Sequence, residues 1–436
     1  MKSVHYIFFA LFLLVTSGAS AQTNYTLEQC KELTLKNNNA LKAERLSMEE
    51  ASLTKKEAFT SYFPKVSAFG FGYHLKEGMI GKESAEMITM LGSSFPGMPN
   101  VRDRRNGYML GISLEQPVFT GGQIYYGNKL AELGEETSKY QVQEAEKNIL
   151  VSVEQYYWTL VALYEKRKTI QVMKNLADNL FSDVKVAVDA GVTNRNDLLQ
   201  VQLKQNEIKT SGVELENSIS LLKIQLAQLM NVDGGQFEIE TKDQEYISNP
   251  VTLLVDHNQA VTNTNMHKLL SKNIEAKQLE KKIERGKLLP YFGVGAGYYQ
   301  YNDIFKNTNP STMVHATLSL PISDWWGGSY NLRKKQTQID RAEYEKTDTD
   351  QKLLVMFQSY WNKLNENYNK ILLAKQAIET AEENVRINKD QYQNGLSILS
   401  DLIDAQSLLQ QSRDQYTEAY TGFLVARYLY LRETGR

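Results

Sequence analysis

The sequence contains few residues of the kinds that carry catalysis, cross-linking or nucleic-acid binding. It has one cysteine in 436 residues, which excludes an internal disulfide and leaves packing or assembly as the source of stability. Its histidines show no spacing typical of a zinc site, and neither a nucleophile elbow nor a phosphate-binding loop is present. The formal net charge is −2 with both signs interspersed, which gives no basic surface for nucleic acid. We therefore predict a protein that is not an enzyme and has no metal or cofactor.

Long apolar segments are missing beyond the first residues. Residues 1–21 are predicted to be a signal peptide, with Lys2 at the charged start, an apolar stretch at 7–15 and small residues at 19–21. The alternative is an uncleaved membrane anchor, for which the apolar stretch is too short. Cys30 lacks the small residues of a lipoprotein signal before it. After the signal no apolar run is long enough to span a membrane as a helix.

Proline is absent from two long tracts. The eight prolines are at positions 64, 96, 99, 117, 250, 290, 310 and 321, so none lies in 118–249 or in 322–436. Because a proline inside a helix costs about 3 kcal/mol, these two tracts are where long helices can form.

The sequence repeats itself once. Residues 63–73 match residues 289–299 at an offset of 226, and residues 39–40 match 265–266 at the same offset. Further on the offset becomes 204, which relates Pro117 to Pro321 and Gly191 to Gly395, and it is 203 around Tyr157 and Tyr360. The change of 22 places a long insertion in the first copy, between residues 73 and 108. We therefore predict one structural unit used twice.

Each copy contains two segments in which apolar and small or polar residues alternate. Period-two alternation predicts strands at about 62–75, 107–119, 290–301 and 312–322. Their lengths suit tilted membrane strands of about 9–11 residues. A soluble half-buried sheet is the alternative, but two hairpins are too few to form a core beside long helices. Glycines 293, 295 and 297 share one face of a strand, which predicts a smooth wall rather than a dinucleotide-binding loop.

Each strand pair is followed by a glycine pair and a long helical hairpin, predicted at about 123–230 and 329–433. Apolar residues recur every seven positions in the returning helices, as at 201, 208 and 215 or at 402, 409 and 416, which indicates knobs-into-holes packing. Trp325 and Trp326 fit either an interfacial aromatic belt or a buried position. The chain is thus divided into a first repeat at 22–230, a connecting segment at 231–264 and a second repeat at 265–436.

These features resemble the TolC family of outer-membrane efflux channels. The resemblance covers essentially the whole mature chain and rests on the duplication, on residues 37–40 and 117–122, and on the helix-tip motifs at 191–199 and 395–406. It implies a mostly α fold with β, the α/β channel-tunnel, with four transmembrane β-strands and long antiparallel coiled-coil helices in each protomer. A homotrimer would then form a 12-stranded β-barrel in the outer membrane and a twelve-helix periplasmic tunnel.

The resemblance also implies partners and a function. Family members are passive exit ducts of tripartite multidrug efflux pumps or type I secretion systems in the Gram-negative outer membrane. They work with a periplasmic adaptor and with an inner-membrane transporter of the RND or ABC type. The connecting segment and the chain ends would form a girdle around the tunnel. The alternative from another class is a periplasmic coiled-coil adaptor or structural protein of an export assembly.

The candidate gate residues lie at the helix tips. Asp401 and Asp404 are three residues apart at a helix start, and they match the acidic pair that lines the closed tunnel tip in the TolC pattern. The alternative is that they only stabilise the positive end of the helix dipole. This pair occurs only in the second copy, which places the expected gate on that hairpin. Tyr392 matches a family tyrosine whose hydrogen bonds help to keep the tunnel shut.

The second tip departs from the best-known pattern. Asp197 matches the family's acidic residue on the first hairpin, but Ser397 stands where its arginine partner is expected. Arg195 could replace that arginine, although an exposed ion pair contributes at most about 1 kcal/mol. The hypothesis is that closure depends on packing and Tyr392 rather than on an ion pair of Asp197. The insertion at 76–106 is expected outside the cell, where residues 102–105 form either a lipopolysaccharide contact or an ordinary solvated loop.

Overall fold

A computed structural model describes residues 23–74, 83–84, 86–87, 90, 106–234, 237–241, 247–302 and 308–436. The expected signal peptide lies outside these residues, as do residues 102–105 and nearly all of the insertion. The chain divides into two compact units. The tip unit comprises Met1–Leu46, Tyr140–Lys268 and Asp348–Arg436, and the sheet unit comprises Ser47–Lys139 and Leu269–Thr347.

The elements follow the repeat. In chain order they are β1 (Thr23–Tyr25), α1 (Leu27–Asn37), α2 (Asn39–Thr60), β2 (Lys65–His74), β3 (Asn106–Phe119), α3 (Gln123–Asp189), α4 (Arg195–Met230), β4 (Phe237–Ile239), a 3-10 turn (Pro250–Leu253), α5 (His257–Asn263), α6 (Asn265–Lys287), β5 (Tyr291–Asn302), β6 (Thr308–Ser319), α7 (Asp324–Gln393) and α8 (Leu399–Thr434). Helices α3 and α7, with 67 and 70 residues, occupy the two proline-free tracts.

The sheet unit contains a four-stranded antiparallel sheet in the order β2-β3-β5-β6. Its register runs from Lys65 opposite Glu115 in the first pair to Tyr291 opposite Ser319 in the last, with a bulge between Pro117 and Phe119. Strands β2 and β6 are the two edges and have no strand partner on their outer sides within the described chain.

The two faces of this sheet differ in chemistry. The register places aliphatic and aromatic residues on one face: Val66, Ala68, Leu110, Ile112, Leu114, Val294, Ala296, Tyr298, Val314, Ala316 and Leu318. The opposite face is mixed. Polar residues lie at its helix-proximal end, among them Lys65, Ser67, Ser113, Glu115, His315 and Thr317, and aromatic residues and methionine lie further along, among them Phe69, Phe71, Tyr73, Met109 and Tyr299. A sheet with one apolar face needs an apolar neighbour on that side.

Side chains of neighbouring residues cover the glycines of β5. A side chain at Gly293 would collide with the Tyr291 hydroxyl, one at Gly295 with the His315 ring and one at Gly297 with Tyr299. These aromatic rings therefore lie over the glycines, and the expected smooth wall is wrong at this point.

The two adjacent tryptophans have different environments. Trp325 is half-exposed and donates its indole N–H to the Leu288 carbonyl oxygen at 2.8 Å. Trp326 is 79% exposed, so the structure does not bury it. Of the two alternatives, an interfacial position fits Trp326 better.

In the tip unit the heptad positions face the core. Val201, Ile208 and Leu215 of α4 are buried, and so are Leu402 and Phe423 of α8. No helix among the described residues is both long enough and apolar enough to cross a bilayer.

The connecting segment joins both chain ends. Strand β1 pairs in parallel with β4 of this segment. At the other end, the Tyr430 hydroxyl accepts a hydrogen bond from the Val255 N–H at 3.1 Å, and the Arg436 guanidinium donates to the Thr252 carbonyl oxygen at 3.2 Å. The segment therefore contacts both ends of the described chain, and a girdle around the tunnel stays a prediction.

Candidate functional site at the helix tips

Two short turns connect the long helices, and they have the same backbone geometry. We call residues 190–194 the first tip and residues 394–398 the second tip. Gly191 and Gly395 have φ angles of +71° and +72°, the left-handed region that glycine adopts without strain. In the first tip the Val192 N–H donates to the Ala187 carbonyl, and in the second the Leu396 N–H donates to the Gln391 carbonyl. Both helices therefore end in a Schellman motif.

The helices that follow the tips also begin alike. Asp197 and Asp401 each occupy the third position of their helix, related by the offset of 204. The Thr193 hydroxyl donates a hydrogen bond to the Asp197 carboxylate, and the Ser397 hydroxyl lies 3.4 Å from an Asp401 carboxylate oxygen. Each acid is thus engaged by a hydroxyl of its own tip.

An apolar cluster joins the two tips. Val184, Val201 and Leu399 are buried together, and Tyr392 packs against them from the end of α7. Burial raises the pKa of Tyr392, and the nearby charges of Asp197 and Asp183 raise it further. Tyr392 therefore stays protonated at neutral pH. Within the described chain its side chain forms no hydrogen bond, so the hydrogen-bonding role implied by the resemblance is not present in the single protomer.

The expected acidic pair lies on the exposed side of α8. Asp401 and Asp404 are exposed, whereas Leu402 and Ala405 between and beside them are buried. The helix thus turns its apolar side to the neighbouring hairpin and both carboxylates to solvent. Arg195 is also exposed and forms no ion pair with any residue that the structure describes. The structure therefore gives no support for a closing ion pair between Arg195 and Asp197.

Sequence reasoning missed the hydroxyl partners and the symmetry of the acids. Thr193 and Ser397 correspond at the offset of 204, as do Asp197 and Asp401, and this signal was available in the sequence. Only Asp404 lacks an acidic counterpart, because Gln200 stands at its position in the first copy. The acidity is therefore shared by both tips, with one additional carboxylate on the second.

No group of three His, Cys, Asp or Glu side chains in the described ranges is arranged to hold a metal ion. The tip acids of one protomer are spread over two exposed helix starts.

Comparisons with known proteins agree with this architecture. A family model described as outer membrane efflux protein matches residues 31–232 and 270–427. Solved structures with a similar fold include CusC (TM-score 0.79, 11% identity, 95% of this chain and 92% of that chain covered). VceC of Vibrio cholerae (TM-score 0.76, 16% identity, 94% and 96% covered) and CmeC of Campylobacter jejuni (TM-score 0.75, 15% identity, 94% and 85% covered) are also similar. No curated protein sequence matches the chain significantly.

A sheet with one apolar face, joined to paired long helices, defines a TolC-like α/β channel-tunnel protein, and the predicted fold class is confirmed. The chain belongs to the outer membrane efflux protein family. It is therefore an outer-membrane efflux channel of a Gram-negative cell, with a large periplasmic part, and not an enzyme.

Proposed function

We propose that this chain assembles as a homotrimer and serves as the passive exit duct of a tripartite efflux pump or a type I secretion system, gated at the periplasmic helix tips. The partners would be a periplasmic adaptor and an inner-membrane transporter of the RND or ABC type. The observation that carries the proposal is the exposed position of Asp401 and Asp404 beside the apolar cluster of the two tips.

The sheet supports assembly. A single protomer leaves the edges of β2 and β6 unpaired, and unpaired edges in a membrane are costly unless the sheet closes. Three copies would pair all edges and would direct the apolar face outward.

The tip geometry supports a gate for cations. In a trimer, Asp401 and Asp404 would contribute six carboxylates around one opening, and such a ring favours cations and can bind a multivalent blocking ion. With Asp197 bonded to Thr193 and Arg195 unpaired, closure would depend on the packing around Tyr392.

Block by multivalent cations in planar bilayers tests the acidic ring. A divalent cation added on the tip side should block the wild-type channel, and the double variant Asp401→Asn/Asp404→Asn should need about tenfold more cation for the same block. Glu343→Gln/Glu379→Gln, which removes two exposed acids elsewhere on α7, is the matched control for net charge and should be blocked like the wild type.

The outcomes separate two parts of the proposal. Unchanged block in the double variant would remove Asp401 and Asp404 from the gate. A purified protein that is monomeric and forms no conducting pore would contradict the trimeric duct itself.

A further inference from the structure

Two lysine–tyrosine contacts join the first copy of the repeat to the second within one chain. In the sheet unit, the Lys282 ammonium of α6 lies 5.4 Å from the ring centroid of Tyr126 on α3. In the tip unit, the Lys268 ammonium of α6 lies 5.8 Å from the ring centroid of Tyr140 on α3. Both distances are within the range of a cation–π interaction.

Each of these two lysines and two tyrosines has a counterpart of the same residue type in the other copy of the repeat. The offset of 204 relates Tyr126 to Tyr330 and Tyr140 to Tyr344, both on α7. The offset of 226 relates Lys282 to Lys56 and Lys268 to Lys42, both on α2. The sequence therefore contains each internal contact a second time, divided between α7 and α2.

The tyrosines of α7 and the lysines of α2 do not contact each other within the single chain. Tyr330 is 71% exposed and Tyr344 is 78% exposed, which is unusual for large aromatic side chains. Lys56 and Lys42 are exposed and form no ion pair with any described residue. All four side chains are thus available to another molecule.

The strands show where that molecule would be. Helix α7 follows edge strand β6, and α2 precedes edge strand β2, just as α3 follows β3 and α6 precedes β5. Strands β3 and β5 are paired inside the chain, whereas β6 and β2 are at opposite edges of the sheet. The tyrosines of α7 can therefore contact the lysines of α2 only if the two helices belong to different copies of the chain.

We infer that neighbouring copies join through a lysine–tyrosine seam, in which Tyr330 and Tyr344 of one copy contact Lys56 and Lys42 of the next. The inference rests on the proposed trimer and specifies its interface. The strands would then pair between copies in the same register as β3 and β5 pair inside the chain. Leu114 lies opposite Ala296 in the internal pair, so Leu318 of β6 would lie opposite Gly70 in β2 of the next copy.

The internal interface is not copied in every detail. It also contains an ion pair of 2.7 Å between Lys272 and Glu136, whose counterparts are Leu46 and Asp340. That ion pair cannot form in the second interface, whereas both lysine–tyrosine pairs can. Of the side-chain contacts in the internal interface, the cation–π pairs are therefore the ones whose residues are also present on α7 and α2.

Photo-crosslinking tests the seam directly. The full-length protein in detergent would carry p-benzoylphenylalanine at position 330 or, as the matched control, at position 126. Tyr330→benzoylphenylalanine should give a dimer-sized adduct whose crosslinked peptide contains Lys56. The control should crosslink within its own chain, to the peptide containing Lys282, and should stay at monomer size.

The possible results are distinct. Adducts of position 330 that map to its own chain or to another segment of the neighbour would overturn the seam. Light scattering on the same sample shows whether the protein is trimeric, so loss of the trimer, which would contradict the proposed function, is distinguished from a wrong interface.

A double-mutant cycle gives a second measurement that does not depend on crosslinking. Lys56→Met and Tyr330→Leu should each lower the temperature at which the trimer dissociates in denaturing gels by several degrees. The double variant should dissociate at about the same temperature as the less stable of the two single variants. Lys209→Met, an exposed lysine on α4 outside the seam, should dissociate like the wild type. Additive effects of Lys56→Met and Tyr330→Leu would show that the two side chains do not interact.

Discussion

At the scale of single residues, the tips contain two kinds of contact that could hold a gate. Asp197 is already satisfied by the Thr193 hydroxyl, while Tyr392 fills space among Val184, Val201 and Leu399. Removing a buried aromatic ring leaves a cavity and costs about 3–5 kcal/mol in a well-packed core, and less at a half-buried site. Removing Asp197, a half-buried acid that bonds only to its own tip, should cost less, about 1 kcal/mol for the lost hydrogen bond.

We therefore predict different effects for these two residues. Tyr392→Ala should make the channel leaky, seen as a larger closed-state current in planar bilayers, because the contact between the hairpins is lost. Asp197→Ala should change the closed-state current only slightly, since its carboxylate forms no bond to the other hairpin within the described chain. Strong leakage of Asp197→Ala alone would contradict closure by packing.

At the scale of structural elements, a glycine in a Schellman turn can be compared with a glycine inside a helix. Gly395 has a left-handed backbone, in which an added Cβ costs about 1–2 kcal/mol. Gly134 lies within α3, where an added Cβ meets no atom within 4 Å and alanine should gain about 0.5–1 kcal/mol.

Hydrogen exchange measures both changes locally. Gly395→Ala should speed exchange of the amides in the second tip by about tenfold, and Gly134→Ala should slow exchange in its own segment of α3. Slower exchange at the tip of Gly395→Ala would show that the turn does not need its left-handed residue.

The elements themselves were largely predictable, because they depend on local patterns. Proline-free tracts fixed where the long helices lie, and period-two alternation located all four strands of the sheet. Strand β6 begins at Thr308 and ends at Ser319, earlier than predicted at both ends. It includes Pro310, which an edge strand tolerates because the missing N–H is not needed for pairing.

The tip contacts were less predictable. The family resemblance pointed to Asp197, Asp401 and Tyr392, but which hydroxyl bonds each acid depends on side-chain rotamers in the folded turn. The exposure of Tyr330 and Tyr344 was not predicted either, because the internal partners of their counterparts become visible only when α3 and α6 lie side by side.

At the scale of the whole molecule, the location in the outer membrane requires the two faces of the sheet to meet different surroundings. Ile112 and Ser113 are neighbours in β3 and point to opposite faces. The row of Ile112 contains Ala68 and Tyr298, whereas the Ser113 hydroxyl lies 2.8 Å from that of Ser67. If the apolar face contacts lipid, a charge at position 112 must enter hydrocarbon, while one at position 113 enters a polar lumen.

We therefore predict that Ile112→Arg destabilises the membrane-inserted protein by about 2–4 kcal/mol, the range for arginine on a lipid-facing strand near the bilayer midplane. Ser113→Arg, the matched control one residue further on, should insert normally and should shift the ion selectivity of the channel toward anions. Urea unfolding in lipid vesicles measures the first effect, and reversal potentials in planar bilayers measure the second. If Ser113→Arg lost stability and Ile112→Arg did not, the apolar face would line the interior and the assignment of the two faces would be reversed.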